Sequence, residues 1–294
     1  AQAAAFAAAH GAARAYGSYD EVLADPAVDV VYISLPNQLH AEWSIRCARA
    51  GKHVLCEKPA TMDAIELAEV LAAARAADVF WYEAFAYRCH PRCERLRGLL
   101  GDGVIGEPRL AHATFSFDAA PLNRPRLWDP ALGGGGLMDV GVYPLSWLRM
   151  VGRFAGCGEP QQVRALGRLV GGVDTVVGGV LSFAGGLVGT FTCGLECAQL
   201  SSAAVWGTRG WIEVVEPWKC PPGQSAYVIH RPGQADERVV DDDGLGSYAR
   251  EALTVARDLH LRQSPACDWD DSRGQMAMLD ELRRQLDVRW PDER

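Results

Sequence analysis

The sequence lacks the cysteine and histidine spacings that mark metal sites and disulfide frameworks. Its 294 residues include nine cysteines without a Cys-x-x-Cys pair and seven histidines without a His-x-x-x-His pair. These absences argue against a zinc ribbon and against a helical metalloprotease site. We therefore expect no bound metal, and we expect reduced thiols in a cytoplasmic protein.

Positive charge is also scarce. Lysine and arginine number 29 against 37 aspartate and glutamate residues, which gives a formal net charge of −8. Binding to phosphate backbones needs a basic stripe, and the sequence contains none, so we expect no nucleic-acid partner. With 49% hydrophobic and 22% charged residues, the chain has an ordinary globular composition. Small molecules are the expected ligands.

A third absence concerns the membrane. Residues 175–195 contain no charged side chain. However, their six glycines would weaken a spanning helix, and their valines and phenylalanines favour two strands. Gly185-Gly186 would form the hairpin turn between these strands. Residues 1–9 are alanine-rich without a basic leader, so we expect neither a signal peptide nor a membrane partner.

The first part of the chain alternates between apolar runs and helix-forming segments. The predicted elements are a strand at 29–35, a helix at 39–50, a strand at 54–56, a helix at 61–77 capped by Thr61, and a strand at 79–86. This alternation predicts a right-handed parallel α/β array. We take residues 1–88 as a dinucleotide-binding domain.

Beyond Pro91 the pattern changes to short alternating runs after one helix at 93–100. The predicted strands span 110–117, 163–169, 175–183, 187–193, 202–206, 210–215 and 227–230. Ser247 is predicted to cap a following helix, and Ser272 to open the capping box of the last one. We predict an α/β protein: an N-terminally truncated Rossmann-like parallel sheet, then an α+β domain, residues 89–294, with a large, mostly antiparallel open sheet.

Two segments carry residues suited to proton transfer. Lys58 follows a predicted buried strand, at the end where parallel sheets bind ligands. Four glycines at 133–136 precede a helix on which Asp139 and Tyr143 are four positions apart and share one face. Taken alone, Lys58 is more typical of a surface ion pair than of a site. Asp139 and Tyr143 are as typical of an N-cap and an interfacial tyrosine as of a site.

Lys58 and Tyr143 together indicate a mechanism. A free tyrosine has a pKa of about 10, and a cation a few ångströms away lowers it by stabilising the phenolate. Such a pair, with Asp139 orienting one member, would be a general acid/base. It would move a hydroxyl proton while hydride leaves the same carbon for a nicotinamide ring.

Four sequence blocks, at residues 35–40, 50–59, 83–88 and 134–143, resemble the Gfo/Idh/MocA family of nicotinamide-dependent oxidoreductases. Glu57-Lys58-Pro59 alone is a weak signal, but four blocks in this order and spacing are strong. Tyr143, where many members have histidine, is similar to the branch of dihydrodiol dehydrogenases, D-xylose dehydrogenases and glucose-fructose oxidoreductases.

The resemblance implies roles for individual residues. Lys58 would contact nicotinamide and substrate, Tyr143 would be the acid/base, and Asp139 would line the substrate pocket. The residues implied along NAD or NADP are Leu35, Pro36, Asn37, His40, Glu57, Lys58 and Arg88.

The implied substrate is a sugar or another vicinal diol. Its hydroxyl groups would meet Tyr143, Arg126 and Trp128, with Asn123 and Arg124 nearby, unless these residues only anchor a loop. The family's open sheet commonly pairs two subunits, so the resemblance also implies a homodimer or higher homo-oligomer.

The sequence departs from the family at its start. Members begin with a strand and a Gly-x-Gly-x-x-Gly-like turn that holds the pyrophosphate, and neither precedes the first helix here. Gly11 and Gly17 do not replace that turn because no strand comes before them. We expect that the natural protein is longer than this sequence.

Two other functions are compatible with the same scaffold. One is an NAD-dependent glycoside hydrolase, which Tyr143 disfavours. The other is a sugar- or dinucleotide-sensing protein without turnover, which the presence of Lys58 and Tyr143 disfavours and the missing phosphate turn favours. The residues do not choose between NAD and NADP.

Overall fold

The computed structural model describes residues 2–241 and 244–291. The helices are α1 (Gln2–His10), α2 (Tyr19–Ala24), α3 (His40–Arg49), α4 (Ala64–Ala77), α5 (Arg92–Gly101), α6 (Val142–Phe154), α7 (Ser247–Asp258) and α8 (Trp269–Leu286). The strands are β1 (Val30–Ile33), β2 (His53–Glu57), β3 (Trp81–Ala84), β4 (Pro108–Ser116), β5 (Gln162–Val170), β6 (Val173–Ser182), β7 (Val188–Gly194), β8 (Ser202–Gly207), β9 (Gly210–Val215), β10 (Ala226–His230) and β11 (Glu237–Val240).

The smaller sheet is parallel, with strand order β1-β2-β3. Val54 and Cys56 of β2 are fully buried, because a central parallel strand is covered on both faces. The predicted array of alternating strands and helices is confirmed. Its carboxyl ends, after Ile33 and Glu57, open toward the rest of the molecule.

The larger sheet has eight strands in the order β11-β10-β9-β8-β4-β7-β6-β5. All described pairs in it are antiparallel except β4 with β7, so the predicted mostly antiparallel sheet is confirmed. One face of the sheet is buried and carries a cross-strand row of Leu181, Ala111, Val205 and Ile212. Helix α6 packs against β4 and β7.

The uncharged segment folds as β6 and β7, as predicted, with Gly185 and Gly186 at positive φ in the turn between them. In the part of the chain that the structure describes, no helix combines the length and apolarity needed to cross a membrane.

Three predicted helix caps are wrong. Asp63, not Thr61, caps α4 by accepting from the Glu66 N–H at 2.8 Å. Gly246 occupies the N-cap of α7, and α8 begins three residues before Ser272 with Asp268 as its cap. The hydroxyl groups of these serines are bound elsewhere, Ser247 to the Lys219 carbonyl and Ser272 to Glu83. Long-range partners thus bind the two serines, whereas the Thr61 hydroxyl donates to the nearby Asp63 carbonyl.

The C-terminal helix packs against the parallel sheet region. Asp280 of α8 accepts from the Ala64 N–H at 2.9 Å, and the Trp269 indole donates to the Trp81 carbonyl at 3.1 Å. The proposed domain boundary after Arg88 falls inside a short helical turn, Ala86–Cys89, and it stays a prediction.

Candidate active site

A cavity of about 940 Å3 lies at the carboxyl ends of β1 and β2. Sites of bound cofactors and substrates are typically of about this size, and open parallel sheets bind ligands at this edge. The predicted residues that line it are Leu35, Pro36, Asn37, His40, Glu57, Lys58, Arg124, Arg126, Asp139 and Tyr143. Segments far apart in sequence therefore converge on one space.

Lys58 and Asp139 meet inside this cavity. Lys58 Nζ donates to the Asp139 carbonyl oxygen at 2.7 Å and lies 3.8 Å from its Oδ1. The same Oδ1 accepts from both terminal nitrogens of Arg126 at 3.2 Å. Both Lys58 and Asp139 have 12% exposed side chains, so solvent screens their interaction only partly. Asp139 therefore fixes two cations at the cavity wall.

The glycine run forms a tight turn that leads into the helix bearing Asp139. Gly135 has a φ of +109°, and a Cβ there would overlap Oδ1 of Asp174. Asp174 Oδ2 in turn accepts from the Leu137 N–H at 2.6 Å. One turn of π-helix, Leu137–Gly141, then runs directly into α6. Asp174 and Gly135 are thus a matched pair that sets the position of Asp139.

Tyr143 lies among aromatic rings at the cavity wall. Its ring centroid is 5.3 Å from that of Phe115, 5.9 Å from Phe85 and 6.0 Å from Trp218. Lys58 Nζ lies 5.2 Å from the centroid of the Tyr143 ring, in a cation–π arrangement. The Tyr143 hydroxyl makes no hydrogen bond within residues 2–241 and 244–291, and Tyr143 lines the cavity.

The expected lowering of the Tyr143 pKa is wrong. Burial raises the pKa of this phenol well above its usual value, and the negative charges of Glu57 and Asp139 raise it further. The physical reason is desolvation, and the ammonium of Lys58 does not offset it because it is engaged by the Asp139 carbonyl oxygen. The Tyr143 phenol is therefore protonated at neutral pH.

Three of the residues predicted along the cofactor also hold the cavity together. His40 bridges two strand ends, with Nδ1 2.8 Å from the Pro59 carbonyl and Nε2 2.9 Å from the Leu35 carbonyl. Burial lowers the pKa of this imidazole. Asn37 donates to the Gly133 carbonyl at 2.8 Å, and Glu57 accepts from the Tyr32 hydroxyl.

The structure places Arg88, Trp128 and Asn123 outside the cavity lining. Arg88 is buried, and its guanidinium makes an ion pair with Asp271 at 2.5 Å. The physical reason is that a buried guanidinium needs a carboxylate partner, and α8 supplies one. Trp128 packs against the hydrophobic core, as the loop-anchor alternative foresaw.

Several lining residues were not predicted from the sequence. Phe115 and Phe117 alternate on one side of the end of β4, a pattern that could have identified them. Trp218, Lys219 and Tyr248 also line the cavity, and they lie in irregular or helix-start segments without a comparable signal.

The described residues contain no group of three or more histidine, cysteine, aspartate or glutamate side chains that could hold a metal. Residues 101–106 contain the pattern Gly-x-Gly-x-x-Gly. They connect α5 to β4, so the pattern follows a helix and precedes a strand. They cannot seat a pyrophosphate on a helix N-terminus.

Comparison with known proteins agrees with this geometry. Residues 1–85 match the oxidoreductase family with an NAD-binding Rossmann fold, and residues 93–213 match the GFO/IDH/MocA C-terminal domain. Trans-1,2-dihydrobenzene-1,2-diol dehydrogenase of Sus scrofa is 33% identical over 299 residues, covering 98% of this chain and 87% of the relative. The Homo sapiens protein of that name is 33% identical over 294 residues, with 98% and 86% covered.

Solved structures show the same fold. A 3-ketoreductase from Actinomadura kijaniata, in complex with NADP and TDP-benzene, has a TM-score of 0.83 at 28% identity, covering 97% of this chain and 86% of that chain. A levoglucosan dehydrogenase in complex with NADH and levoglucosan has a TM-score of 0.81 at 21% identity, covering 97% and 85%, and supports the fold alone. The resemblance is confirmed, and the chain belongs to the Gfo/Idh/MocA family of NAD-binding oxidoreductases.

Proposed function

We propose that the protein is an NAD(P)-dependent dehydrogenase that transfers hydride between the hydroxyl-bearing carbon of a sugar or vicinal diol and nicotinamide. The observation that carries this proposal is the convergence of Lys58, Asp139 and Tyr143 on one cavity at the carboxyl ends of β1 and β2. The names of the relatives, diol dehydrogenases among them, support the substrate class. They give no support to a glycoside hydrolase or a sensing protein.

The cavity suits a dinucleotide beside a small polyol. The backbone at residues 34–37 and the side chains of Glu57 and Lys58 border the sheet edge and would hold the cofactor. When bound, the cofactor supplies the hydride acceptor or donor. Arg124 and Arg126 line the side nearest the glycine turn and would meet substrate hydroxyl groups. Trp128 would act indirectly by anchoring their loop, and Arg88 by tying α8 to the residues after β3.

Three protein residues carry out the proton transfer and the orientation of the reacting groups. Tyr143, held protonated by burial, donates to the oxygen of the reacting carbon when the carbonyl is reduced. Lys58, held by the Asp139 carbonyl, donates a hydrogen bond to the same substrate oxygen and also contacts the cofactor. Asp139 orients Lys58 and Arg126.

Replacing Tyr143 with phenylalanine or Lys58 with methionine should remove turnover and leave the fold intact. Each change deletes a proton-carrying group at the cavity wall, so we expect kcat to fall by about two to four orders of magnitude. Aldoses and vicinal diols are offered with NAD and with NADP, and formation of the reduced nicotinamide is followed by its absorbance.

Tyr19→Phe is the matched control, because Tyr19 is 54% exposed on α2 and outside this cavity. Turnover by the Tyr143 or Lys58 variant at the wild-type rate would contradict the roles given to these residues. No turnover of any diol or sugar by the wild type would contradict the function itself.

We also propose a cytoplasmic homodimer. All nine cysteines are free thiols, which fits a reducing compartment. The outer face of the large sheet exposes Leu110, Leu166, Val180 and Val188, a set of apolar side chains that a second copy would cover. The mass in solution, measured by light scattering, tests this; a monomer at high concentration would contradict it.

A further inference from the structure

The cavity carries more positive than negative charge, although the whole chain has a formal net charge of −8. Four cationic side chains line it against two carboxylates. The cations are Lys58, Arg124, Arg126 and Lys219, and the carboxylates are Glu57 and Asp139. Burial lowers the pKa of the His40 imidazole, which adds no positive charge at neutral pH. The cavity therefore favours negatively charged ligands.

The two carboxylates leave part of this positive charge uncompensated. One oxygen of Asp139, Oδ1, lies 3.8 Å from Lys58 Nζ and accepts from both terminal nitrogens of Arg126 at 3.2 Å. Glu57 accepts from the Tyr32 hydroxyl and from the Lys58 backbone N–H. The single charge of Asp139 thus faces two cations, and its side chain is only 12% exposed. Because solvent screens so enclosed a cluster poorly, a bound anion would stabilise it.

Arg126 keeps hydrogen-bond donors for such an anion. A guanidinium has five N–H groups in a planar fork that matches a carboxylate or a phosphate. The Arg126 side chain is 40% exposed, lines the cavity, and makes its ion pair with one oxygen of Asp139. Arg124 and Lys219 also line the cavity, and they form no ion pair with any residue that the structure describes. An anionic group would use these charges, whereas a hydroxyl group would not need them.

These additional cations adjoin Tyr143. Lys219 directly follows Trp218, whose ring centroid is 6.0 Å from that of Tyr143. Arg126 is held by Asp139, four positions before Tyr143. The cofactor is expected along the backbone after β1, and a ribose separates the phosphates of a dinucleotide from its nicotinamide ring. Positive charge beside the acid/base residue therefore fits a group on the substrate better than the phosphates of the cofactor.

We propose, on the basis of the dehydrogenase function given above, that the substrate is an anionic polyol: a sugar or vicinal diol that bears a carboxylate or a phosphate group. Arg124, Arg126 and Lys219 bind that group. The reacting hydroxyl group meets Lys58 and Tyr143. The aromatic rings around the phenol offer an apolar surface to the carbon face of the substrate. The anion determines which polyol binds and takes no part in the hydride transfer.

Matched substrates test this assignment. Several neutral aldoses, D-glucose among them, are compared with the uronates and the phosphates of the same sugars. We expect kcat/KM to be about tenfold or more higher for a charged member, since a hydrogen bond between charged groups is stronger than one to a neutral hydroxyl. This preference should weaken as salt is added. Preference for uronates would identify a carboxylate, and preference for phosphates a phosphate. Equal or higher kcat/KM for the neutral sugars would overturn the proposal and leave the dehydrogenase function standing.

Arg124→Gln and Arg126→Gln remove the charge and should bring the ratio of kcat/KM between charged and neutral sugars toward one. Arg49→Gln is the matched control, because Arg49 is exposed at the end of α3 and outside this cavity. Dinucleotide affinity is measured in each variant by fluorescence titration. Weaker dinucleotide binding with the wild-type substrate ratio would show that these arginines bind the cofactor, which would contradict the proposal.

A second measurement does not depend on turnover. Calorimetric titration compares D-glucose, D-glucuronate and D-glucose 6-phosphate in the presence of reduced cofactor, which cannot accept hydride. A charged sugar should bind about tenfold or more tightly than glucose, and Arg126→Gln should abolish the difference. Equal or absent binding of all three would overturn the proposal. Tighter binding of a charged sugar without turnover of any sugar or diol would contradict the dehydrogenase function alone.

Discussion

Asp139 shows how one side chain can organise a site through both its backbone and its carboxylate. Its carbonyl oxygen accepts from Lys58, and its Oδ1 accepts from Arg126. Residue type alone indicated an orienting role. The division of labour between carbonyl and carboxylate depends on the π-helical turn that carries it.

Asp139→Asn should lower kcat/KM by about tenfold without abolishing turnover. The backbone bond to Lys58 remains, whereas the charge that holds Arg126 toward the substrate side is lost. Initial rates across diol concentrations measure this, with the exposed Asp102→Asn as the matched control. Complete loss of activity, or activity equal to that of the wild type, would mean that the carboxylate has a different role.

The sequence, by contrast, predicted Tyr143 as a site residue but not the protonation state of its phenol. The pattern placed a phenol near a lysine, and the expected consequence was a lowered pKa. The structure surrounds that phenol with Phe85, Phe115 and Trp218, and desolvation raises its pKa even though the Lys58 ammonium lies 5.2 Å from the ring centroid. Burial is a property of the whole packing arrangement, so no local pattern reveals it.

At the scale of elements, helix and strand positions were predictable and their ends were less so. Periodicity located α4, α5 and most strands within a few residues. The predicted capping box at Ser272 and Gln275 instead makes long-range bonds, Ser272 to Glu83 and Gln275 to the Val142 carbonyl. The local sequence cannot show whether a polar side chain caps its own helix or forms a hydrogen bond with a distant element.

The glycine turn gives a test of element positioning. Gly135→Ala should lower the free energy of unfolding by about 3 kcal/mol, since it adds positive-φ strain and an overlap with Asp174. Gly171→Ala, whose φ is +62° with nothing within 4 Å of the added Cβ, should cost only about 1 kcal/mol. Urea denaturation compares the two variants. Equal losses would contradict the proposed fit of Gly135 against Asp174.

For the whole molecule, buried carboxyls should make stability depend on pH. Burial raises the pKa of Glu83 to about 7, of Asp174 to about 7 and of Glu251 to about 8. A raised pKa means that the folded state binds the proton more tightly than the unfolded state does. The resulting stabilisation is complete below the unfolded pKa of about 4 and is lost as the pH rises through about 8.

We therefore expect the free energy of unfolding to fall by about 1 kcal/mol or more between about pH 5 and about pH 8.5. Asp271 does not oppose this trend: burial alone would raise its pKa, but ion pairs with Arg88 and Arg149 lower it, so its contribution changes only in acid. Denaturant midpoints across this range measure the effect, and Asp174→Asn should flatten it. Stability that rises with pH would contradict this assignment.

The sequence by itself determined the order of elements, the two sheets and the family, because periodicity and short motifs are local properties of the chain. It also predicted Lys58, Asp139 and Tyr143 as site residues, because they follow a strand end or a glycine turn. Only the tertiary structure decided which side chains share the cavity, why Arg88 turns toward Asp271, and how burial sets the protonation of Tyr143 and Glu251. Desolvation and long-range pairing depend on neighbours that are distant in the chain.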